Sequence, residues 1–322
     1  MRIPKADWAW IVVSMAAFLF FGGVSYAGTP LVNVVNKVQS ARSEAMGGAG
    51  VAMSGDAAMV WTSPAAAAGT GQWALCLGGE RGLFEEMTGQ AILGFPAWGT
   101  YVFCGGGGYD TGSVTLNASD GTSRKVTGQR DFMGLVGVAG EMGEGYRQGL
   151  QLKLMHSNFL EEFSAASIVA DWGAQADWSD FMTGGVALQN FGPTMKYLED
   201  IVSQPATARA GAAFRLAFGE FWGKAEDSPN RLLLTADIEH SFARAKATLC
   251  GGAELRLGGV LMLRGGGRLG PAKQIGNVSA GIGVDIRRET AENTYRYRFD
   301  YTLHFLTGGF DIPHSVSLTC LF

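Results

Sequence analysis

From about Gln72 to the last residue, segments of roughly ten residues alternate apolar and polar positions and are separated by Gly, Asp, Asn, Ser or Pro. Successive side chains of a strand point to opposite faces, so a period of two predicts strands with one greasy and one polar face. Tyr295, Tyr297, Phe299, Tyr301, Leu303 and Phe305 fall on one face of such a strand, with Arg296, Arg298, Asp300, Thr302 and His304 on the other. The division recurs elsewhere. Leu232, Leu234, Ala236 and Ile238 oppose Thr235, Asp237 and Glu239, while Val278, Ala280, Ile282, Val284 and Ile286 oppose Ser279, Asp285 and Arg287. Aromatic residues near strand ends, among them Trp172, Trp178, Phe218 and Trp222, suit two interfacial girdles and favour a membrane barrel over a soluble sandwich. Turn signals start strands near Gln72, Thr88, Trp98, Gln129, Gly145, Ser167, Phe181, Ala206, Arg231, Lys246, Gly259, Gly276, Thr294 and His314. The expected fold is therefore all-β, a transmembrane antiparallel β-barrel of about fourteen strands over residues 71–322. The stretch from Ser113 to Gly128 fits either a long strand pair or an outer loop.

The first seventy residues differ in kind. Residues 1–27 are built like a secretory signal peptide, with Arg2 and Lys5 before an apolar stretch from Trp8 to Phe21, then Ser25-Tyr26-Ala27 as a small-x-small cleavage site. After Ala27 no apolar run approaches the ~20 residues of a spanning helix, so any crossing of a membrane falls to strands. Residues 28–70 are rich in Ala, Gly, Ser and Met and show no alternation. Small, weakly charged side chains ahead of the first strand suit an N-terminal hatch or plug within the lumen, with a fixed turn at Trp61, Ser63 and Pro64.

Composition supports strands and removes several functions. The 48 glycines and 11% aromatic residues with only 9 prolines fit many strands with few breaks. A formal charge of -4 supplies no global field to hold nucleic acid. Cys76, Cys104, Cys250 and Cys320 form no C-x-x-C pair, and His156, His240, His304 and His314 are scattered, so no metal site is expected. Gly265-Gly266-Gly267-Arg268-Leu269-Gly270 satisfies G-x-G-x-x-G, but no helical period follows it as a dinucleotide site requires. No G-x-S-x-G marks a nucleophile. The expectation is a non-enzyme without cofactors. Arg296, Arg298, Asp300, Asp285, Arg287, Asp237 and Glu239 are candidate lumen-facing charges whose mixed signs suit mutual pairing. At the end of the chain Val316, Leu318, Cys320 and Phe322 share one apolar face. Phe322, a terminal aromatic, resembles the assembly signal of outer-membrane barrels.

Three stretches resemble the PorV/PorQ family of outer-membrane barrels. The first runs from Ser40-Ala41-Arg42 through Met46-Gly47-Gly48-Ala49 and Asp56-Ala57 to Trp61-Thr62-Ser63-Pro64-Ala65, where the family has Asn in place of Ser63. The second is Asp171-Trp172-Gly173 with Asn190-Phe191-Gly192-Pro193, and the third Tyr297-Arg298-Phe299-Asp300-Tyr301 with His314 to Leu318 and the terminal Phe322. The resemblance implies a fourteen-stranded barrel with a hatch in a Gram-negative type of outer membrane, reached by signal-dependent export. It also implies a non-enzymatic docking role in which secretion-system components or exported cargo are the partners, as in type IX secretion. The family is related in architecture to FadL-type channels, which implies the alternative of a conduit for small or hydrophobic solutes. A closed plug with paired charges favours docking, and a continuous apolar pocket or lateral gap beside the plug favours transport.

Overall fold

The computed structural model describes residues 34, 39–83, 86–117, 121–197, 200–202, 204–218, 229–270, 277–290, 294–306 and 312–322. The expected signal peptide and most of residues 28–38 lie outside these. Eighteen strands are described: β1 Ala74–Arg81, β2 Met87–Ala97, β3 Thr100–Asp110, β4 Ser113–Asn117, β5 Ser123–Thr127, β6 Gln129–Gly143, β7 Tyr146–Phe159, β8 Phe163–Ser179, β9 Met182–Phe191, β10 Met195–Tyr197, β11 Asp200–Val202, β12 Thr207–Ala217, β13 Arg231–Ser241, β14 Lys246–Leu257, β15 Leu261–Leu269, β16 Asn277–Glu289, β17 Thr294–Leu306 and β18 His314–Leu321. Fourteen close into an antiparallel barrel in the order β1-β18-β17-β16-β15-β14-β13-β12-β9-β8-β7-β6-β3-β2. Each begins within four residues of a turn signal read from the sequence. The stretch from Ser113 to Gly128 is the hairpin of β4 and β5, a two-stranded sheet outside the barrel ladder, and β10 and β11 form a second one.

Closure is made by β1 and β18, paired from Ala74↔Leu321 to Arg81↔His314. The ladder runs one residue further, because the Trp73 and Phe322 amides each donate to the other's carbonyl at 3.1 and 3.0 Å. A closed sheet leaves no edge, which is what lipid requires of a strand structure. Both chain ends of the barrel share one rim with the turns at 98–99, 144–145, 180–181 and 258–260, here the C-terminal rim. The hairpin of β4 and β5 and that of β10 and β11 stand at the opposite rim.

The period of two sorts the wall. Val136, Leu152, Leu154, Ile168, Leu234, Ile238, Ile282, Ile286 and Phe299 are exposed on the outside, whereas Asp131, Lys153, Asp171, Asp237, Glu254, Arg264 and Asp300 are buried inside. Exposed Trp73, Trp98, Trp178, Phe181 and Phe322 gather at the C-terminal rim, with Phe132, Phe159 and Phe305 near the other. Trp172 departs from the girdle expectation. It has outward parity but is only 8% exposed, covered by Tyr146, Leu150, Leu188 and Phe191. Trp222 lies outside the described residues.

Candidate functional site

The interior is occupied by the chain's own residues 39–70, a run of short turns. Helix α1, Ala41–Ala45, starts at Ser40, whose hydroxyl accepts from the Ser43 amide. A 3-10 turn over Ala57–Trp61 is capped by Asp56, and a second over Pro64–Ala67 begins at Ser63 with Pro64 in its first position. No element here exceeds five residues, which is why the segment shows no period.

Two features of the wall hold this segment. Where it touches, the inward residue is often glycine: a Cβ on Gly173 would lie 2.2 Å from Ser63 Oγ, on Gly185 2.4 Å from the Val51 oxygen, and on Gly266 2.3 Å from the Gly47 nitrogen. Such contacts explain Gly266, in the middle of the Gly-rich stretch 265–270, as room for a neighbouring backbone. Elsewhere inward polar side chains satisfy the segment's backbone. Asp237 Oδ2 accepts from the Gly50 and Val51 amides at 2.7 and 3.0 Å, and Gln175 Nε2 donates to the carbonyls of Val51 and Met53. Gln189 donates to the Trp61 carbonyl, Arg209 to that of Gly48, and Thr302 to that of Ala41. Buried amides and carbonyls left unpaired would each cost roughly 1–3 kcal/mol.

At the centre of the β14–β18 side, six side chains form a closed ring of alternating charge. Arg42 grips Glu254 through Nε at 2.8 Å and Nη2 at 2.9 Å; Glu254 meets Arg264 at 2.6 Å, and Arg264 meets Asp300 at 2.7 Å. Arg298 joins Asp300 at 3.0 Å to Asp56 at 2.8 Å, and Asp56 returns to Arg42 at 2.8 Å. Arg42 and Asp56 belong to the inner segment and the other four to the wall, so the ring ties one to the other. Burial alone would raise the Asp56 carboxyl, but Arg298 and Arg42 outweigh it and hold it at about 2.

On the opposite side of the lumen apolar side chains form one contiguous cluster between inward polar groups, among them Asp131 and the buried pair Lys153 and Asp171. Tyr109, Met133, Met155, Ala165 and Val169 of the wall pack near Met195 and Val202 of the outer hairpin, and the same cluster continues through Phe103, Leu135, Tyr101 and Ala139 to Trp61, Ala74 and Leu321 at the C-terminal rim. This strip is filled by side chains. A cavity between Ser40, Ala58 and Trp61 and the wall residues Cys76, Gln90, Ile92 and Ser317 measures ≈ 10 Å³, room for one water molecule.

The residues singled out in the sequence fall as follows. Trp61, Ser63 and Pro64 are buried against the wall. Arg298, Asp300, Asp285 and Asp237 are buried on inward faces; Glu239 faces inward and pairs with Arg209, and Arg296 pairs with Asp285. Arg287 has inward parity but stands exposed at the end of β16, where the strand leaves the lumen. Phe322 is exposed at the rim. The ring unites only Arg298 and Asp300 of this set. Arg42 and Asp56 were not legible as its members because an aperiodic segment has no readable inner face. Arg264 was missed inside a Gly-rich stretch, although its alternation with Leu263 and its parity with Met262 and Arg268 carried the signal. The four cysteines are free thiols.

No protein-family model matches this sequence, and no curated protein does. Among solved structures the chain is similar to the Pseudomonas putida toluene transporter TodX, with TM-score 0.62 and 13% identity over 88% of this chain and 98% of that one. It is also similar to the CymD monoaromatic hydrocarbon channel, with TM-score 0.56 and 13% identity over 88% and 97% of the two chains. A Pseudomonas aeruginosa FadL homologue gives TM-score 0.55 and 10% identity over 92% and 99%. The chain thus shares the fold of these proteins, of which TodX is named as a transporter and CymD as a channel. Nothing in the comparisons repeats the PorV/PorQ resemblance.

Proposed function

We propose that this barrel is a conduit for small apolar solutes across the outer membrane. The observation that carries it is the contiguous cluster of buried apolar side chains that runs beside Asp131, Lys153 and Asp171 on the β3, β6, β7 and β8 side of the lumen, from Met195 and Val202 at one rim to Leu321 at the other. The methionines Met133, Met155 and Met195 line it with flexible, polarisable side chains that can repack around a passing molecule. The likeness to TodX and CymD supports a solute of monoaromatic size. In this reading residues 39–70 are a hatch seen closed, the β14–β18 side anchors it, and outer-membrane lipid covers the apolar exterior. The test is uptake of a labelled monoaromatic hydrocarbon by cells that assemble the full chain in their outer membrane. Uptake above that of cells lacking the chain, reduced in Ala165→Trp at equal assembled amounts, is the expected result. A rate equal to that of cells without the chain removes the reading.

A second reading, a docking barrel serving protein secretion, is favoured by the filled lumen and its paired charges. It predicts that a secretion-system component or exported cargo copurifies with the chain from outer membranes in mild detergent.

A further inference from the structure

We propose that the C-terminal rim of the lumen carries a binding site for a dianionic oxyanion, phosphate or a phosphate monoester, centred on Arg231, Arg256 and Arg296. The register sets like charges opposite one another, one pair on the inner face and one at the strand end where Arg287 is exposed. Arg231 of β13 faces Arg256 of β14, and Arg287 of β16 faces Arg296 of β17. Directly opposed like charges destabilise a sheet unless something neutral or negative intervenes. The described acid in contact with this group is Asp285, which both Arg256 and Arg296 touch. Among the described residues Arg256 and Arg296 share that one carboxylate, and Arg231 and Arg287 contact none. The next acid inward, Glu254, is committed to Arg42 and Arg264, and the next toward solvent, Glu289, stands exposed at the strand end.

Arg231 is the open position. Among the described residues no hydrogen bond or ion pair engages its guanidinium, and its partner across the β13–β14 ladder is Arg256. Arg256 spends Nε and Nη2 on the Gly259 carbonyl and Asp285, and Arg296 spends Nε and Nη2 on Asp285, so each keeps Nη1 free in the hydrogen bonds of this site. Planar guanidinium forks match oxyanion geometry, and one carboxylate-like charge would leave this group strongly positive where two charges come close to balancing it. Access needs no opening of the lumen, since Arg231 is half-buried and the Arg296 side chain is 24% exposed. The site is independent of the conduit reading.

The experiment is calorimetric titration of the full chain, folded in detergent at low salt and pH 8, with inorganic phosphate. One saturable site is expected, absent when sodium chloride of matched ionic strength replaces phosphate. Arg231→Gln should weaken binding about tenfold or more, as loss of a charge-assisted hydrogen bond implies, with Arg231→Lys weakened less. Arg287→Gln, at an exposed position, should weaken it severalfold, which keeps the test open if Arg231→Gln fails to fold. Arg130→Gln, on the outer face at the other rim, should bind like the native chain. Equal binding of glycerol phosphate assigns the site to monoesters, and binding of phosphate alone assigns it to the free ion. Absence of saturable phosphate binding, or unchanged affinity in Arg231→Gln and Arg287→Gln, would overturn the proposal.

Discussion

Each member of the six-charge ring has two opposite charges beside it, so removing one strands two. Arg42→Ala takes the bidentate partner from Glu254 and one of two guanidiniums from Asp56, and breaking a buried pair in this way costs on the order of 3–5 kcal/mol. Denaturant unfolding in detergent should show a loss of that size, partly recovered in Arg42→Met with Glu254→Gln. Acid gives a second test. The folded Asp56 carboxyl sits at about 2 against an ordinary 3.8, so its contribution is complete above about pH 4 and declines as pH falls toward 2, on the order of 2 kcal/mol in all. The thermal midpoint should fall across that window, and Asp56→Asn should flatten the fall. An equal fall in both proteins would mean that other carboxylates govern acid stability. At this scale alternation revealed which wall charges turn inward, but a partner's identity depends on distances across the barrel that no local period encodes.

Strands were legible because a wall one residue thick has two unlike environments. Every second residue must suit lipid, and the remainder must suit the interior. Phe299, half-exposed at the middle of β17, should tolerate arginine poorly, with Phe299→Arg costing about 2–4 kcal/mol in lipid. Unchanged folding in lipid vesicles would contradict the placement of that face. Glycines separate by face in the same way. Gly266→Val drives a side chain into the Gly47 and Met46 backbone and should cost roughly 1–3 kcal/mol or expel the segment, whereas Gly134→Val, with nothing within 4 Å, should be neutral. Proteolysis of the inner segment alongside unfolding distinguishes expulsion from simple destabilisation. Residues 39–70 gave up little beyond their composition to sequence reading, because short capped turns conform to the wall they fill rather than to a repeat of their own.

For the molecule as a whole, the barrel exists only if the last strand finds the first across the intervening chain from residue 82 to residue 313, and that closure ends at Phe322. Its amide and carbonyl both bond Trp73, while its ring stands exposed at a rim where Trp73, Trp98 and Trp178 are exposed as well. Two roles are therefore separable. As a girdle aromatic, Phe322 contributes to the stability of the finished barrel. As an assembly signal, it is read before the barrel closes and adds little afterwards. Deleting Phe322 removes the final pair of hydrogen bonds but leaves the eight-residue register of β1 and β18 intact, so detergent-refolded stability should drop by only about 1–3 kcal/mol. The amount of chain assembled in the outer membrane should drop far more, measured as the folded fraction in isolated membranes from cells making equal total chain. Phe322→Trp tests the signal more finely, because any aromatic serves a girdle. Equal losses of stability and assembly would assign the ring to the girdle alone, and no loss of either would contradict the placement of β18 as the closing strand.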